Sequence, residues 1–248
     1  MLRVLAAALA LHPCSGPAGA QQLVTVVAAS RATTHAVVRL WRREGACWTP
    51  AGGPWPARVG RNGLSDRHRE GDGTTPTGTY GFGRVVYGLG PDPGVRYAYH
   101  RLVCGDWWDE DPASPQYNRF RHVTCGVRPP FAGGSEALWR ATAAYRLFAV
   151  VDYNAAAVRG RGSGIFLHVA TGAATNGCVS LPAAQLAALV RRLDPAASPR
   201  IVIGTNATRS ARASRGRSPR LRARSRAWRT RGRARVPSTS AWAVLPRN

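Results

Sequence analysis

The stretch "GIFLHVATGAATNGCVSLPAAQLAALVRRL", residues 164–193, joins a short apolar run to a helical pattern through a loop that contains two glycines. Leu186, Leu189 and Val190 recur at helical spacing, and arginines stand at the carboxyl end of the pattern. Pro182 stands in the first turn, where a proline is tolerated. The stretch therefore predicts a strand, a sharp turn and a helix, in that order.

Short runs rich in β-branched residues recur along the rest of the chain, separated by Gly, Pro and Asn. "QLVTVVAAS" and "HAVVRLWRR" predict a leading hairpin, and "PRIVIG" predicts a closing strand. A second helix is predicted in "GGSEALWRATAAY", with Ser135 as its N-cap. Many short strands with two peripheral helices predict a mostly β fold, a sandwich or barrel, and not a doubly wound α/β sheet.

The amino terminus has the pattern of an export signal. Arg3 precedes the apolar run "VLAAALAL", and "AGA" at residues 18–20 is a small-x-small cleavage site. The apolar run is too short to span a bilayer. We therefore expect a signal peptide at residues 1–20 and an exported protein, in which Cys14 leaves with the signal. With 248 residues and 44% hydrophobic content, the chain can bury one main core, predicted at residues 21–205.

The remaining residues, 206–248, form an arginine-rich tail. All 35 basic residues of the chain are arginine, thirteen of them follow Thr205, and Asp194 is the last acid. Such a segment cannot bury a core and attracts polyanions, so we expect disorder and binding to an anionic cell wall or envelope. Binding to nucleic acid, in which Trp228 and Trp242 would stack on bases, is the disfavoured alternative. Export would separate the protein from the nucleic acid of the cell. A tail without a role is the third possibility.

Four cysteines follow the expected cleavage site: Cys47, Cys104, Cys125 and Cys178. An even number in an oxidising compartment suggests two disulfides. Cys104 and Cys125 flank one irregular loop and are the expected pair. Cys47 and Cys178 form the second pair if Cys178 has a structural role.

The sequence predicts no metal site and no cofactor. No two cysteines or histidines stand at C-x-x-C or H-x-x-x-H spacing. We expect His68, His100 and His122 to be surface or core residues and not ligands.

Cys178 has a second interpretation, as a nucleophile. His168 ends the preceding predicted strand, and Cys178 lies just before the predicted helix, so an imidazole and a helix dipole are both available to lower the pKa of the thiol. The backbone N–H groups of Gly177 and Cys178 would then form an oxyanion hole. The residues alone leave three roles open for Cys178: nucleophile, disulfide partner or small buried residue.

The order and spacing of these residues add a resemblance. Papain-like proteases place Cys before His, and sortases separate the two by a much longer segment. A His, a short Gly-containing loop and "GCVSL" resemble the L,D-transpeptidases of the YkuD type. "DGTTPTGTYGF" resembles a run that precedes a core strand of that domain, and "CGDWWDEDPASPQYNRF" resembles its exported branch, in which aromatic and acidic residues line a groove. The resemblance covers about Leu23 to Gly204.

The resemblance implies roles for individual residues. His168 would be the catalytic base, oriented by the backbone carbonyl of Val169. Asn176 stands where much of the family has His, and Ser180 stands where many members have Arg. Together with Tyr153, these two residues are expected to contact the substrate.

The implied activity is that of an exported peptidoglycan L,D-transpeptidase. The Cys178 thiolate would attack the carbonyl of the penultimate diamino-acid residue of a stem tetrapeptide and release the terminal D-Ala. An amine of a neighbouring stem peptide would then accept the acyl group, and the protein would act as a monomer. The alternatives are a carboxypeptidase that uses water as acceptor, and a non-catalytic wall-binding module in which Cys178 is bridged to Cys47.

Overall fold

The computed structural model describes residues 14–131 and 134–205, which form fifteen strands, one α-helix and two short 3-10 turns. The predicted mostly β fold is therefore confirmed. The expected signal peptide falls largely, and the arginine-rich tail entirely, outside the described residues. Within the described ranges, no helix has the length and apolar character needed to cross a membrane.

In chain order the strands are β1 (Gln22–Ala28), β2 (His35–Glu44), β3 (Cys47–Arg58), β4 (Leu64–Ser65), β5 (Thr75–Pro76), β6 (Gly78–Tyr80), β7 (Phe82–Gly88), β8 (Ala98–Arg101), β9 (Asp106–Asp109), β10 (Arg119–His122), β11 (Glu136–Ala137), β12 (Phe148–Val151), β13 (Phe166–Val169), β14 (Val179–Leu181) and β15 (Arg200–Thr205). The helix α1 spans Ala183–Arg192, and the 3-10 turns span Ala144–Arg146 and Pro195–Ala197.

Ten strands form one sheet, in the order β6-β15-β1-β2-β3-β14-β13-β12-β7-β8. The predicted hairpin is confirmed as the antiparallel pair β1 and β2, and the predicted closing strand β15 pairs parallel to β1. A smaller sheet, in the order β10-β9-β11, lies outside the large one. The two strands nearest the predicted turn, β13 and β14, are parallel and occupy the middle of the large sheet.

β13 and β14 separate two apolar clusters. Leu167 and Val179 pack in the main core, where the buried Leu186 and Leu189 of α1 cover them. Phe166 belongs to the second cluster, which is rich in aromatic rings, and Cys178 packs against it. Because side chains alternate along a strand, the two faces of this strand pair carry different chemistry.

The predicted helix at "GGSEALWRATAAY" is wrong. Its residues form the short strand β11, which pairs with β9, and a separate 3-10 turn further on. The Leu138 N–H donates to the Asp106 carbonyl oxygen at 3.0 Å, and the Ser135 hydroxyl accepts from the Glu110 N–H at 3.0 Å instead of capping a helix. Pairing with a distant strand has overridden the local helical pattern.

The cysteine pairing differs in part from the expectation. Cys104 and Cys125 form a disulfide as predicted. Cys47 is bonded to Cys14, and Cys178 is free, so the alternative Cys47–Cys178 bridge is wrong. Cys14 lies on the amino-terminal side of the expected cleavage point. Its bond to Cys47 therefore belongs to a chain that retains residues 14–20.

Candidate active site

Parallel pairing places His168 and Cys178 on the same face of the sheet. The register aligns Leu167 with Val179 and His168 with Ser180. Cys178 directly precedes β14, and its Sγ accepts a hydrogen bond from the Phe166 N–H at 3.3 Å. His168 is two residues beyond Phe166 and projects to the same side of the strand.

Two threonines hold the turn that carries the thiol. Thr175 Oγ1 donates to the Cys178 carbonyl oxygen at 2.6 Å, and Thr75 Oγ1 donates to the same oxygen at 3.2 Å. Thr175 Oγ1 also accepts from the Gly177 N–H at 3.2 Å. The carbonyl oxygen of Cys178 therefore accepts two hydrogen bonds, whereas the N–H of the same residue has no acceptor among the described residues.

Gly177 requires the absence of a side chain. Its φ is +150°, and a Cβ there would lie 3.1 Å from the Thr74 carbonyl oxygen and 3.2 Å from Ile165 Cδ1. Its N–H, which we expected in the oxyanion hole, is bonded to Thr175 in this structure. Of the two N–H groups expected in the oxyanion hole, that of Cys178 is the one without an acceptor among the described residues.

The Cys178 thiol is protonated in this arrangement. Its S–H donates to the Gly164 carbonyl oxygen at 3.2 Å. Burial raises the pKa of the thiol far above its ordinary value, and the charges of Glu136 and Glu110 add to this, against a smaller opposing effect of the Phe166 N–H. The sequence predicted a lowered pKa, and burial reverses that expectation.

His168 is held as a neutral base. Its Nδ1 lies 2.8 Å from the Val169 carbonyl oxygen, so Nδ1 carries the proton and Nε2 is left as an acceptor. Burial lowers the pKa of His168, and the Tyr145 ring lies edge-on to the imidazole at 6.0 Å. Within the described ranges His168 and Cys178 share a face without a direct hydrogen bond. Contact between them requires rotation of the thiol away from Gly164.

A cavity of about 430 Å³ opens beside the thiol. Cys178 is partly exposed to it, and Asn176 and Gly177 form part of its wall. The charged or titratable side chains around it are Arg61, His68, Glu70, Glu110 and Glu136. The geometry thus combines a free thiol, a neutral imidazole on the same sheet face and a cavity large enough for part of a peptide.

Comparison with known protein families agrees with this arrangement. A family model described as the YkuD L,D-transpeptidase catalytic domain matches residues 25–227. The chain belongs to the YkuD family. No curated protein and no solved structure gives a significant match.

The other residues expected to contact the substrate are placed differently from one another. Asn176 is exposed at the cavity beside Cys178, where its side-chain oxygen accepts a hydrogen bond from the Arg61 guanidinium. Ser180 is only 1% exposed, and its Oγ has no hydrogen-bond partner within residues 14–131 and 134–205. Tyr153 lines a different cavity and donates its OH to the Arg161 carbonyl oxygen at 2.6 Å. The Tyr153 ring packs edge-on against His68 at 5.2 Å.

His68 lies in the wall of the cavity beside Cys178. It is buried, which is one of the two locations that the sequence suggested for it. Its Nδ1 lies 2.9 Å from the Asp72 carboxylate and 3.1 Å from Thr74 Oγ1. A Cβ on Gly162 would overlap the His68 imidazole, so the two pack in direct contact. His68 therefore ties the loop that contains Asp72 to the segment that precedes β13.

Three carboxyl groups in the cavity beside Cys178, those of Glu70, Glu110 and Glu136, were not proposed as site residues from the sequence. Glu70 accepts hydrogen bonds from the Tyr117 hydroxyl and from Ser163 Oγ, and Glu136 accepts from the Tyr145 hydroxyl. Within residues 14–131 and 134–205, no group donates to the carboxyl of Glu110. The acidic stretch "DWWDEDP", which resembles the lining of a groove in the family, was a signal for Glu110 alone.

Glu110 is a neutral acid at neutral pH. Burial, followed by the charges of Glu136, Glu70 and Asp109, raises the pKa of Glu110 to about 9 from an ordinary value of 4.5. The unfolded chain releases this proton near its ordinary value, whereas the folded chain keeps it. Folding therefore becomes less favourable as pH rises through this window, so Glu110 opposes stability at neutral pH.

We expect Thr175→Val to lower the free energy of unfolding by roughly 1–3 kcal/mol, because the Cys178 carbonyl and the Gly177 N–H each lose a buried partner. Urea unfolding followed by fluorescence measures the change. Thr175→Ser keeps the hydroxyl and should remain much closer to the wild-type protein. Equal losses in the two variants would show that the hydroxyl does not hold the turn.

We expect Glu110→Gln to raise Tm at pH 8 by roughly 5 °C and to leave it almost unchanged at pH 4, where Glu110 is protonated in both states. Calorimetry at the two pH values measures the difference. Glu44→Gln, at the exposed end of β2, is the matched control and should show no such pH dependence. A lower Tm for Glu110→Gln at pH 8 would contradict the assigned direction of the shift.

Proposed function

We propose that this protein is an exported peptidoglycan L,D-transpeptidase in which Cys178 carries the acyl group. The observation that carries the proposal is the free, partly exposed Cys178 thiol at a cavity, on the same sheet face as His168. The tautomer of His168, with Nδ1 bonded to the Val169 carbonyl, leaves Nε2 able to accept a proton. Membership of the YkuD family supports the reaction class.

In the first half of the reaction, the thiol leaves the Gly164 carbonyl and transfers its proton to Nε2 of His168. The sulfur attacks the carbonyl that joins the penultimate diamino acid to the terminal D-Ala of a stem peptide. The amide bond breaks, His168 returns the proton to the departing amine of D-Ala, and a thioester remains on Cys178. The N–H of Cys178, which has no acceptor among the described residues, would donate to the oxyanion that forms during the attack.

In the second half, an amine of a neighbouring stem peptide attacks the thioester. A new amide forms, the C–S bond breaks, and the thiol of Cys178 is restored. Water in place of the amine would give the carboxypeptidase reaction with the same residues. Cross-linked dimers and trimmed tripeptides are therefore the products that separate the two activities.

We also propose that the protein works outside the cytoplasmic membrane as a monomer and contacts the anionic wall through its tail. The Cys104–Cys125 disulfide supports an oxidising compartment, and the amino-terminal pattern supports export. Thirteen arginines beyond Thr205, without an acid among them, support electrostatic attraction to wall or lipid polyanions.

We expect the purified protein to release D-Ala from a defined stem tetrapeptide and to show a thioester adduct on Cys178 by mass spectrometry. Cys178→Ala should abolish both, and His168→Gln should slow acylation by roughly 10²–10⁴-fold, because it removes the proton acceptor. Glu44→Gln serves as the control. Unchanged D-Ala release from Cys178→Ala would rule out the proposal.

For the tail, we expect the full chain to co-sediment with isolated cell walls at low salt and to be released by about 1 M salt, which screens charge over a few ångströms. A chain that ends at Ala207 should stay in the supernatant and still release D-Ala from a soluble stem peptide. Equal sedimentation of the two chains at low salt would remove the anchoring role.

A further inference from the structure

The three carboxyl groups of the cavity at Cys178 differ in what they already bind. Glu70 is held by Tyr117 and Ser163, and Glu136 is held by Tyr145. The Glu110 carboxyl is the one of the three that receives no hydrogen bond from the described residues. Among the described residues, Glu110 therefore offers an entering donor a carboxyl group of which neither oxygen already accepts a hydrogen bond.

Glu110 is separated from the thiol by the backbone of one glycine. Gly164 has a φ of +61°, and a Cβ at this position would overlap the Glu110 Oε1 atom. The carbonyl oxygen of the same Gly164 accepts the S–H of Cys178 at 3.2 Å. A group that reacts at the sulfur through this cavity thus passes within reach of the Glu110 carboxyl.

The acceptor step of the proposed reaction needs a base suited to an aliphatic amine. An ammonium group with a pKa near 10.4 must lose a proton before its nitrogen can attack. Neutral His168, whose pKa burial lowers, is a weak acceptor for such a proton. Burial and the neighbouring carboxyl groups raise the pKa of Glu110, so its carboxylate is a stronger acceptor for the ammonium proton than an exposed carboxylate would be.

We propose that Glu110 is a catalytic residue of the acceptor half-reaction, which receives the incoming ammonium at the cavity and takes its proton. This proposal rests on the proposed function. Binding of the ammonium beside the carboxyl releases one proton to solvent and leaves one proton shared by the carboxyl and the amine. With that proton on Glu110, the neutral amine attacks the thioester. The second proton lost by the nitrogen passes through His168 to the departing sulfur, so that an amide and a free thiol result.

The surroundings of Glu110 favour a cation. The titratable groups that act on Glu110 or line the same wall are Glu70, Glu136, Asp109, Tyr117, Tyr145, Cys178 and His68. The first six are either neutral or negatively charged, and burial lowers the pKa of His68, which favours its neutral form. The Arg61 guanidinium, which also lines the cavity, is bonded to the side chain of Asn176. An ammonium is therefore attracted to the carboxyl wall, and its charge replaces the proton that Glu110 otherwise keeps.

The experiment measures the two half-reactions of Glu110→Gln separately. Acylation is followed as the thioester mass on Cys178 after mixing with a stem tetrapeptide, and transfer is followed as amide product after addition of an acceptor. We expect acylation within about threefold of the wild-type protein, and transfer to a stem-peptide amine slower by roughly 10²-fold or more. Transfer to hydroxylamine, which is largely unprotonated at neutral pH, should be nearly unaffected. Glu44→Gln is the matched control in both assays.

Each other outcome overturns the proposal in a distinguishable way. Equal slowing of acylation and of transfer to both acceptors would assign Glu110 a structural role. Unchanged transfer to the stem-peptide amine would show that another group takes the proton. A wild-type protein that forms the thioester but transfers it only to water would remove the acceptor step itself. Absence of the thioester from the wild-type protein would overturn both this proposal and the function on which it rests.

Discussion

The parallel pairing of β13 with β14 is the constraint on which the rest of the site depends. It fixes His168 opposite Ser180 and places Cys178 one position before the paired strand, so the imidazole and the thiol share a face. A shift of this register by one residue would turn Cys178 toward the main core beneath α1. The hydroxyls of Thr175 and Thr75, which lie outside β14, reinforce the register because both donate hydrogen bonds to the Cys178 carbonyl oxygen. The site is therefore held by backbone geometry before any side-chain chemistry begins.

The same arrangement sets a conflict between stability and chemistry. Three carboxyl groups lie in the cavity beside the partly exposed thiol, and each makes ionisation of its neighbours less favourable. Hydroxyls of Tyr117, Ser163 and Tyr145 donate to two of the carboxyl groups, whereas no group in the described part of the chain donates to Glu110. Perturbed groups that gather in a cavity and oppose folding are typical of functional sites, where selection acts on reaction rather than on stability.

Local patterns in the sequence predicted the parts of the fold that depend on neighbours along the chain. The β1–β2 hairpin, α1 and the closing strand β15 each have their signal within about twenty residues, and the structure confirms them. The helix predicted at Ser135 failed because the pairing of β11 with β9 depends on residues almost thirty positions away. His168 and Cys178 could be found because a short loop joins them. The grouping of Glu70, Glu110 and Glu136 could not be predicted, because these residues come from three separate segments and only the fold brings them together.

The raised pKa of the Cys178 thiol has a consequence for the lifetime of the protein in an oxidising environment. Peroxides and disulfides react with thiolates and hardly at all with thiols. Because burial above all keeps the sulfur protonated, the thiol resists conversion to sulfenic acid. The same protonation slows thiol–disulfide exchange by Cys178, because that reaction proceeds through the thiolate. In the proposed reaction, the sulfur ionises only when substrate and His168 are both in place, so the thiol can persist where a permanently ionised one would be consumed.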